Sequence, residues 1–371
     1  YALAATLAAP FMGALADRYG RRRLVLASLA IYILAFTGYR FATSAVAIVI
    51  VRGLAGAFTA GLMPAVNGIV SDLAPLDRRA QWISVVSGGA SIGWIVGPIL
   101  GGILYDRWGY ATALSVSILM ALIAFLLAFL KVPETHTNPT RLRRDQPIQP
   151  SHQKSTLRVF RNTLPESLPS FFALLLIAFA VMFAWAFIEP RFMFYAYDDL
   201  QWSSSMLGLV MSTYGIAMAI GEFGLGRSSD RFGRKPVIVV GVLLFLAQFI
   251  GLAVFQNYLW IAVSFVIAGL GNALYDPALS AAVLDIAPVE HQARNLGIKS
   301  TAASLGNILG PALVVMLNPY WDAREVFLAA TGMVCMSLFV FLFVQIPSPS
   351  IHAEPGRVAE KGFVDPETMK P

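Results

Sequence analysis

Charge is scarce in this chain. Only 13% of its 371 residues are Asp, Glu, Lys or Arg, while 57% are hydrophobic. A soluble globular domain carries about 25% charged residues, so half that charge cannot cover a water-facing surface of this size. Cysteine is nearly absent too. Cys335 stands alone in the last apolar run, which excludes an intrachain disulfide framework or a cysteine-ligated metal site and leaves a small hydrophobe. None of the four histidines (His136, His152, His291, His352) falls inside an apolar run, so a histidine proton relay or metal site within a membrane is excluded. No Gly-x4-Gly-Lys-Ser/Thr loop occurs. Without that phosphate cradle, work powered by ATP within this chain is excluded. No catalytic constellation is visible, and no cofactor is expected. There is no initiator Met and no signal-peptide pattern; the chain starts at Tyr1 inside an apolar segment and reads as a fragment.

What is abundant is long apolar runs, such as 114–130 and 171–188. About 20 apolar residues match the bilayer core. Eleven spans are expected, at 1–16, 24–42, 45–71, 81–104, 109–131, 168–196, 205–226, 236–255, 258–285, 293–317 and 323–346. The 30 glycines and 21 prolines partly lie inside these runs, which membrane bundles tolerate. One connection is long, 132–167, rich in Pro, Ser, Thr and basic residues, and reads as a polar linker.

The net charge of +6 concerns topology, and no nucleic-acid partner is expected, because the basic residues sit at membrane edges. Alternate loops hold Arg18, Arg21, Arg22 and Arg23; Arg78 and Arg79; Lys131, Arg141, Arg143, Arg144, Lys154, Arg158 and Arg161; Arg227, Arg231, Arg234 and Lys235; and Arg294. The opposite loops hold only Arg40, Arg107, Arg191 and Arg324. Positive loops face the cytoplasm, so the linker and the C-terminal tail, 347–371, are expected there.

Internal repeats organise the chain further. Asp17-Arg18-Tyr19-Gly20-Arg21-Arg22 recurs as Asp230-Arg231-Phe232-Gly233-Arg234-Lys235, at an offset of 230 − 17 = 213. The same offset relates Pro64 to Pro277, Asp72-Leu73-Ala74-Pro75 to Asp285-Ile286-Ala287-Pro288, Gly93-x3-Gly97-Pro98 to Gly306-x3-Gly310-Pro311, and Trp108 to Trp321. An offset held over four spans implies two parallel halves, since matching loops share one side. The run 168–196 has no partner, because 168 − 213 precedes Tyr1. The intact protein is therefore expected to have six plus six helices, the first absent here. The expected units are a bundle 1–131, a cytoplasmic linker 132–167, a bundle 168–346 and a tail 347–371.

The stretch Gly13-Ala14-Leu15-Ala16-Asp17-Arg18-Tyr19-Gly20-Arg21-Arg22-Arg23 resembles the signature loop between helices 2 and 3 of the major facilitator superfamily, and the resemblance covers nearly the whole chain. It implies an all-α membrane protein of two pseudo-symmetric six-helix bundles. Asp17 ends one helix at the cytoplasmic face, where a nearby helix N-terminus stabilises a carboxylate. The helix starting near His291 presents one. Arg18, Arg21 and Asp72 complete the cluster, with Asp230, Arg231, Gly233, Arg234 and Asp285 as repeat partners of this gate. Two readings stand: a latch between the halves, or an anchor that only keeps Arg inside. Fixed places for Gly13, Asp17 and Gly20 favour the latch.

Gly89-x3-Gly93-x3-Gly97-Pro98-x2-Gly101-Gly102 is similar to the fifth-helix motif of the drug–proton antiporter families, which sugar-uptake relatives generally lack. Glycines four apart make one smooth face for close packing, and Pro98 bends the helix; Gly306, Gly310 and Pro311 echo it. Pro133-Glu134-Thr135 fits either branch. Arg52 lies mid-span in Val51-Arg52-Gly53-Leu54-Ala55-Gly56, where intramembrane charge usually faces a cavity. Similar families assign such an Arg to proton transfer or substrate contact, with a Gln where Ala55 stands here.

Asp276 is nine residues from Asp285, about 14 Å along a helix, and is a candidate proton carrier or a structural partner for Arg52. Glu222 is a second candidate, and Glu189-Pro190-Arg191 is an internal pair near the outer surface. Trp94, Trp185, Phe187, Tyr195, Tyr197, Tyr214 and Tyr275 are candidate pocket aromatics. The resemblance and these charges imply proton-coupled export of hydrophobic small molecules or drugs by alternating access, by a monomer in the plasma membrane, with the bilayer as its other partner. Proton-coupled uptake of sugars or organic anions, and a receptor on a transporter fold, are the alternatives. The carriers of coupling are then Arg52, Asp276 and Glu222. Each breaks the repeat: the matching positions are Phe265, Met63 and Ala9.

Overall fold

The computed structural model describes residues 1–75, 78–135, 165, 167–225, 228–288 and 291–345, without the side chains at 10, 13, 14, 17, 79, 80, 84 and 293. Most of the expected linker 132–167, the tail 347–371, Arg227, His136, His152 and His352 lie outside the described residues.

Every regular element among the described residues is helical. The first half comprises α1 (Ala2–Tyr19), α2 (Arg21–Phe41), α3 (Ala45–Thr59), α4 (Leu62–Leu73) and α5 (Arg79–Lys131). The second comprises α6 (Leu168–Phe194), α7 (Ser204–Leu225), α8 (Ser228–Phe232), α9 (Arg234–Phe245), α10 (Ala247–Val254), α11 (Tyr258–Ile286), α12 (Gln292–Leu317) and α13 (Ala323–Leu342). Backbone groups in hydrocarbon must bond within their own segment, which is why apolar runs this long form helices.

Nine segments of the described chain are long and apolar enough to cross a membrane. One of them, Gln81–Lys131, has 51 residues. At about 1.5 Å per residue it exceeds twice the bilayer core of roughly 30 Å. It holds two crossings, and the helical path breaks at Gly109, with φ 81 and ψ 173. Adding α1, which has 18 residues, accounts for the eleven expected spans. Three boundaries differ from expectation. The span 45–71 breaks at Ala60–Gly61, between α3 and α4. The span 236–255 breaks at Leu246, between α9 and α10. The span 168–196 runs on through a π turn, Tyr195–Asp199.

The repeat is visible in geometry. Gly20 (φ 101) and Gly233 (φ 88) make the same turn, in a backbone region that is essentially glycine-only. Ser44 and Asn257, 213 apart, both cap helices: their side chains accept hydrogen bonds from Ala47 N–H and Leu259 N–H. Such caps satisfy amides that a helix start leaves unpaired. Arg22 donates to the carbonyl of Phe129 at 2.6 Å and Lys235 to that of Leu342 at 2.7 Å. These cations dock on the last turn of the last crossing of each half, at the negative end of its helix dipole.

Each half has its own apolar core. That of the first half is small, with Ala16, Leu24, Val25, Ala65, Ile69 and Ala128. That of the second is built on large rings, with Phe171, Phe192, Phe249, Phe265, Phe327 and Phe341 at most 1% exposed.

Candidate functional site

In the second half, α6, α11 and α12 enclose a cavity of about 310 Å³. Met182, Leu279 and Leu296 supply apolar walls, while Asp276, Ser280 and Lys299 are polar. Asp276 occupies the turn of α11 that carries Pro277. Lys299, inside α12, donates from Nζ to Asp276 Oδ1 at 2.6 Å and to Ser280 Oγ at 2.7 Å. Ser280 Oγ in turn donates to the Asp276 carbonyl at 2.9 Å. The lysine is thus held by two groups one helical turn apart. Glu222 on α7 lies within electrostatic reach of Asp276. Beside them the Asn272 amide donates to Tyr214 Oη at 2.5 Å, and Trp185 stacks on Tyr214 with centroids 6.2 Å apart. Tyr275 lines the cavity. Trp94, by contrast, is 72% exposed.

Lys299 is the residue that sequence reasoning missed. The signal was present: a cation five residues beyond Arg294, inside the run 293–317, where charge is expensive. The expected alternative partner of Asp276, Arg52, is not in place. The Arg52 guanidinium lies 6.0 Å from the centre of the Tyr1 ring, a cation–π distance, and within electrostatic reach of Glu189 on α6. The reason is position: Arg52 sits on α3 of the first half, whereas Asp276 turns toward its own neighbour α12. Glu189 is therefore not confined to a pair with Arg191.

At the basic loops, Arg21 reaches Asp72 at 2.5 Å, and Arg234 reaches Asp285 at 2.9 Å and Asp230 at 2.5 Å. These are the same contact in both halves, since 234 − 21 and 285 − 72 both equal 213. Arg18 and Arg231 each sit 5.4 Å from the centre of the following ring, Tyr19 and Phe232. The expected cluster thus divides, because Arg21 and not Arg18 takes Asp72. Gly13 is helical within α1. The Asp17 side chain lies outside the described residues, and so does its expected contact with the start of α12.

The glycine–proline motif behaves differently in its two copies. Gly306 and Gly310 press against α6: a methyl on them would lie 2.6 Å from the Phe179 carbonyl oxygen and 2.7 Å from the Phe187 nitrogen. Their repeat partners Gly93 and Gly97, with Gly89 and Gly101, have open space around them. The chain as given holds no counterpart of α6 beside these four. Packing in the first copy falls on the neighbouring face instead. Pro98 meets Gly208, and Gly102 meets Ser204. Pro311 lies within α12.

That neighbouring face is a seam between the halves. Ser212 Oγ donates to the Ile95 carbonyl at 2.5 Å. At the seam's end opposite the Arg21 and Arg234 clusters, Asp106 accepts from the backbone N–H groups of Ser204 and Ser205, at 3.0 and 2.7 Å. A carboxylate thus caps the start of α7 from the other half, complementing both its free amides and its dipole. Asp106 was also missed. It looked like an ordinary loop charge, and its repeat position is Pro319.

Comparison with known proteins bears on this arrangement. The Major Facilitator Superfamily model matches residues 1–197 and, again, 170–368. The chain belongs to the Major Facilitator Superfamily. It is thus a multi-pass membrane transporter and not an enzyme. It is 29% identical over 320 residues to the tetracycline resistance protein, class C, of Escherichia coli, spanning 85% of this chain and 78% of that protein. It is 25% identical over 351 residues to the multidrug resistance protein MdtG of Proteus mirabilis, spanning 94% and 84%. The multi-drug resistance efflux pump PmrA homolog of Lactococcus lactis matches at 25% over 345 residues, 92% and 80%. Among solved structures, a D-xylose-proton symporter superposes with a TM-score of 0.70 at 17% identity, covering 93% of this chain and 86% of that one. The human organic anion transporter MFSD10 (TETRAN) superposes at 0.63 and 21% identity, covering 92% and 81%. At such identities the structural likeness shows the fold alone.

Proposed function

We propose that this superfamily member exports hydrophobic small molecules in exchange for protons, by alternating access of two bundles, 1–131 and 168–346. The observation that carries the reading is the Asp276–Lys299 pair lining a cavity, because both members lack a charged counterpart in the other half: the matching positions are Met63 and Val86. Shared features such as Arg21–Asp72 and Arg234–Asp285 serve the frame and its gate. Unshared charges are free to serve transport chemistry. A proton on Asp276, with Glu222 as the nearby second acid, exchanges with substrate. Arg52 and Glu189, within electrostatic reach of each other across the halves, are a second unshared charge pair nearer the outer side. The drug-efflux names of the sequence relatives support export. The Asp106 cap and the Ile95–Ser212 hydrogen bond join the two halves, and in this reading they support a state that opens toward the cytoplasm. In this reading the protein acts as a monomer in the plasma membrane, with the linker 132–167 and the tail 347–371 cytoplasmic.

The test is substrate flux in vesicles carrying the full-length protein under an imposed pH gradient. Export of tetracycline or ethidium that stops when the gradient collapses is expected, with Asp276→Asn uncoupling flux from the gradient. Flux indifferent to the gradient sinks proton coupling. Unchanged coupling in both Asp276→Asn and Glu222→Gln removes these residues from it.

A further inference from the structure

We propose that Tyr1 is a positioning residue for Arg52: its ring, tethered through its hydroxyl to Thr59, is a seat that holds the guanidinium toward the other half. This rests on the reading of Arg52 as a charge of the transport cycle and adds the group that aims it.

The seat is recognisable because it occurs twice. Tyr1 and Tyr214 are repeat partners, and three contacts of each tyrosine fall on repeat partners as well. The first contact is backbone. A methyl on Gly56 of α3 would collide with the Tyr1 carbonyl oxygen, and one on Gly269 of α11 with that of Tyr214. The second is the hydroxyl. Tyr1 Oη lies 2.9 Å from Thr59 Oγ1, and Tyr214 Oη lies 2.5 Å from the Asn272 amide nitrogen. The third is the ring. The Arg52 guanidinium is 6.0 Å from the centre of the Tyr1 ring, and the Phe265 ring is 6.5 Å from that of Tyr214. The spacings agree: 56 − 1 and 269 − 214 equal 55, 59 − 1 and 272 − 214 equal 58, and 52 − 1 and 265 − 214 equal 51. Each tyrosine is thus fixed at its backbone and at its tip, and its ring meets the third side chain. One duplicated device faces an apolar ring in the second half and a cation in the first.

The direction of the hydrogen bond suits the occupant. Thr59 gives its one proton to the Ala55 carbonyl at 2.6 Å, so it accepts from the Tyr1 hydroxyl. A phenol that donates is polarised toward more negative charge in its ring, which favours a cation at the ring face. Tyr214 instead accepts from Asn272, and its ring faces Phe265. The first seat is also more polar at its hydroxyl end. Tyr32 of α2 lies beside both hydroxyls, where the second half has Phe245.

Aim matters because Arg52 also lies within electrostatic reach of Glu189 on α6. An arginine head on its long stem samples many rotamers unless something holds it. Tyr1 and Thr59 belong to the same half as Arg52, so the seat carries the guanidinium with that half toward or away from Glu189.

The experiment has two arms, both on the full-length protein. In the first, 3-fluorotyrosine is placed at position 1 by codon suppression, and its fluorine resonance is read in detergent without substrate or gradient. Arg52→Gln and Thr59→Val are expected to move the resonance, and Thr59→Ser to leave it in place. The same label at position 214 is expected to be indifferent to Arg52→Gln. A resonance at position 1 that ignores Arg52→Gln, or equal responses to Thr59→Val and Thr59→Ser, overturns the proposal. So does a label at position 214 that moves as far as the one at position 1, since the change is then global. Should Arg52→Gln fail to fold, Arg52→Lys decides the same point, because an ammonium lacks the planar face that stacks on a ring.

The second arm is gradient-driven tetracycline flux. Tyr1, Thr59 and Arg52 do not line the Asp276 cavity, so KM is expected to hold. Thr59→Val is expected to lower kcat roughly two- to fivefold, what a half-exposed cation–π contact contributes, and Thr59→Ser to restore it. In an Arg52→Gln background Thr59→Val is expected to add nothing. A changed KM with kcat intact, or an additive loss, overturns the proposal. Flux indifferent to the gradient defeats proton coupling, and the fluorine arm still decides the seat.

Discussion

Single side chains in this protein show how a buried polar group is judged by its partners. Lys299 and Asp276 satisfy one another inside the cavity. Gln248 on α10 does not share that fortune. It is wholly buried, and neither its amide nitrogen nor its amide oxygen has a hydrogen-bond partner among the described residues. An unsatisfied buried amide costs about 1–3 kcal/mol, and Met fills nearly the same unbranched volume. Gln248→Met is expected to stabilise the folded protein by about 1–3 kcal/mol, read as a higher melting temperature in detergent. A lower melting temperature would show that Gln248 finds a partner in another state of the transport cycle.

At the level of helices, glycine decides both packing and turning. Gly310 on α12 lets the backbone of α6 approach so closely that an added methyl would lie 2.7 Å from the Phe187 nitrogen. Backbone cannot yield as a side-chain tip does, and overpacking costs roughly 1–3 kcal/mol. Gly310→Ala is expected to destabilise by about that amount. Gly332→Ala on α13, where nothing lies within 4 Å, is expected to be neutral or to gain up to ~1 kcal/mol of helix propensity. Paired melting curves check both; equal effects would refute the packing account. Gly233 turns the chain into α9 at φ 88 and ψ 156. Alanine there must adopt a strained backbone worth about 1–3 kcal/mol, so Gly233→Ala is expected to lower stability although an added methyl would meet only Pro236 Cδ, at 3.8 Å.

For the molecule as a whole, the working quantity is the balance between states of the two halves. Asp106 adds to that balance without titrating chemistry of the transport site. Its carboxylate spans from α5 to the start of α7, so it strengthens only arrangements in which these two ends touch. Asp106→Ala is expected to shift the population toward states with those ends apart. Spin-label distances between the loops at this end of the two halves read this directly, and an unchanged distribution would remove Asp106 from the gate. Asp276→Asn should leave that distribution less affected than flux, because Asp276 pairs within one half.

Much of the architecture was legible from residues alone, for a physical reason. A bilayer permits few solutions: apolar runs become helices, basic loops set their order, and a constant 213-residue offset imposes matching contacts. The turn at Gly20 and Gly233, and the pairs Arg21–Asp72 and Arg234–Asp285, are therefore determined by sequence. Asp276 was recognisable as a charge out of place. Its partner was not, because Lys299 lies 23 residues away on another helix, and only the mutual rotation of α11 and α12 decides whether their side chains meet. The same holds for Asp106, whose role depends on where the other half's α7 begins. It holds as well for Gly306 and Gly310, whose spacing does not say that the face they share meets the backbone of α6. Periodicity tells which residues share a face, and tertiary structure alone decides what that face meets.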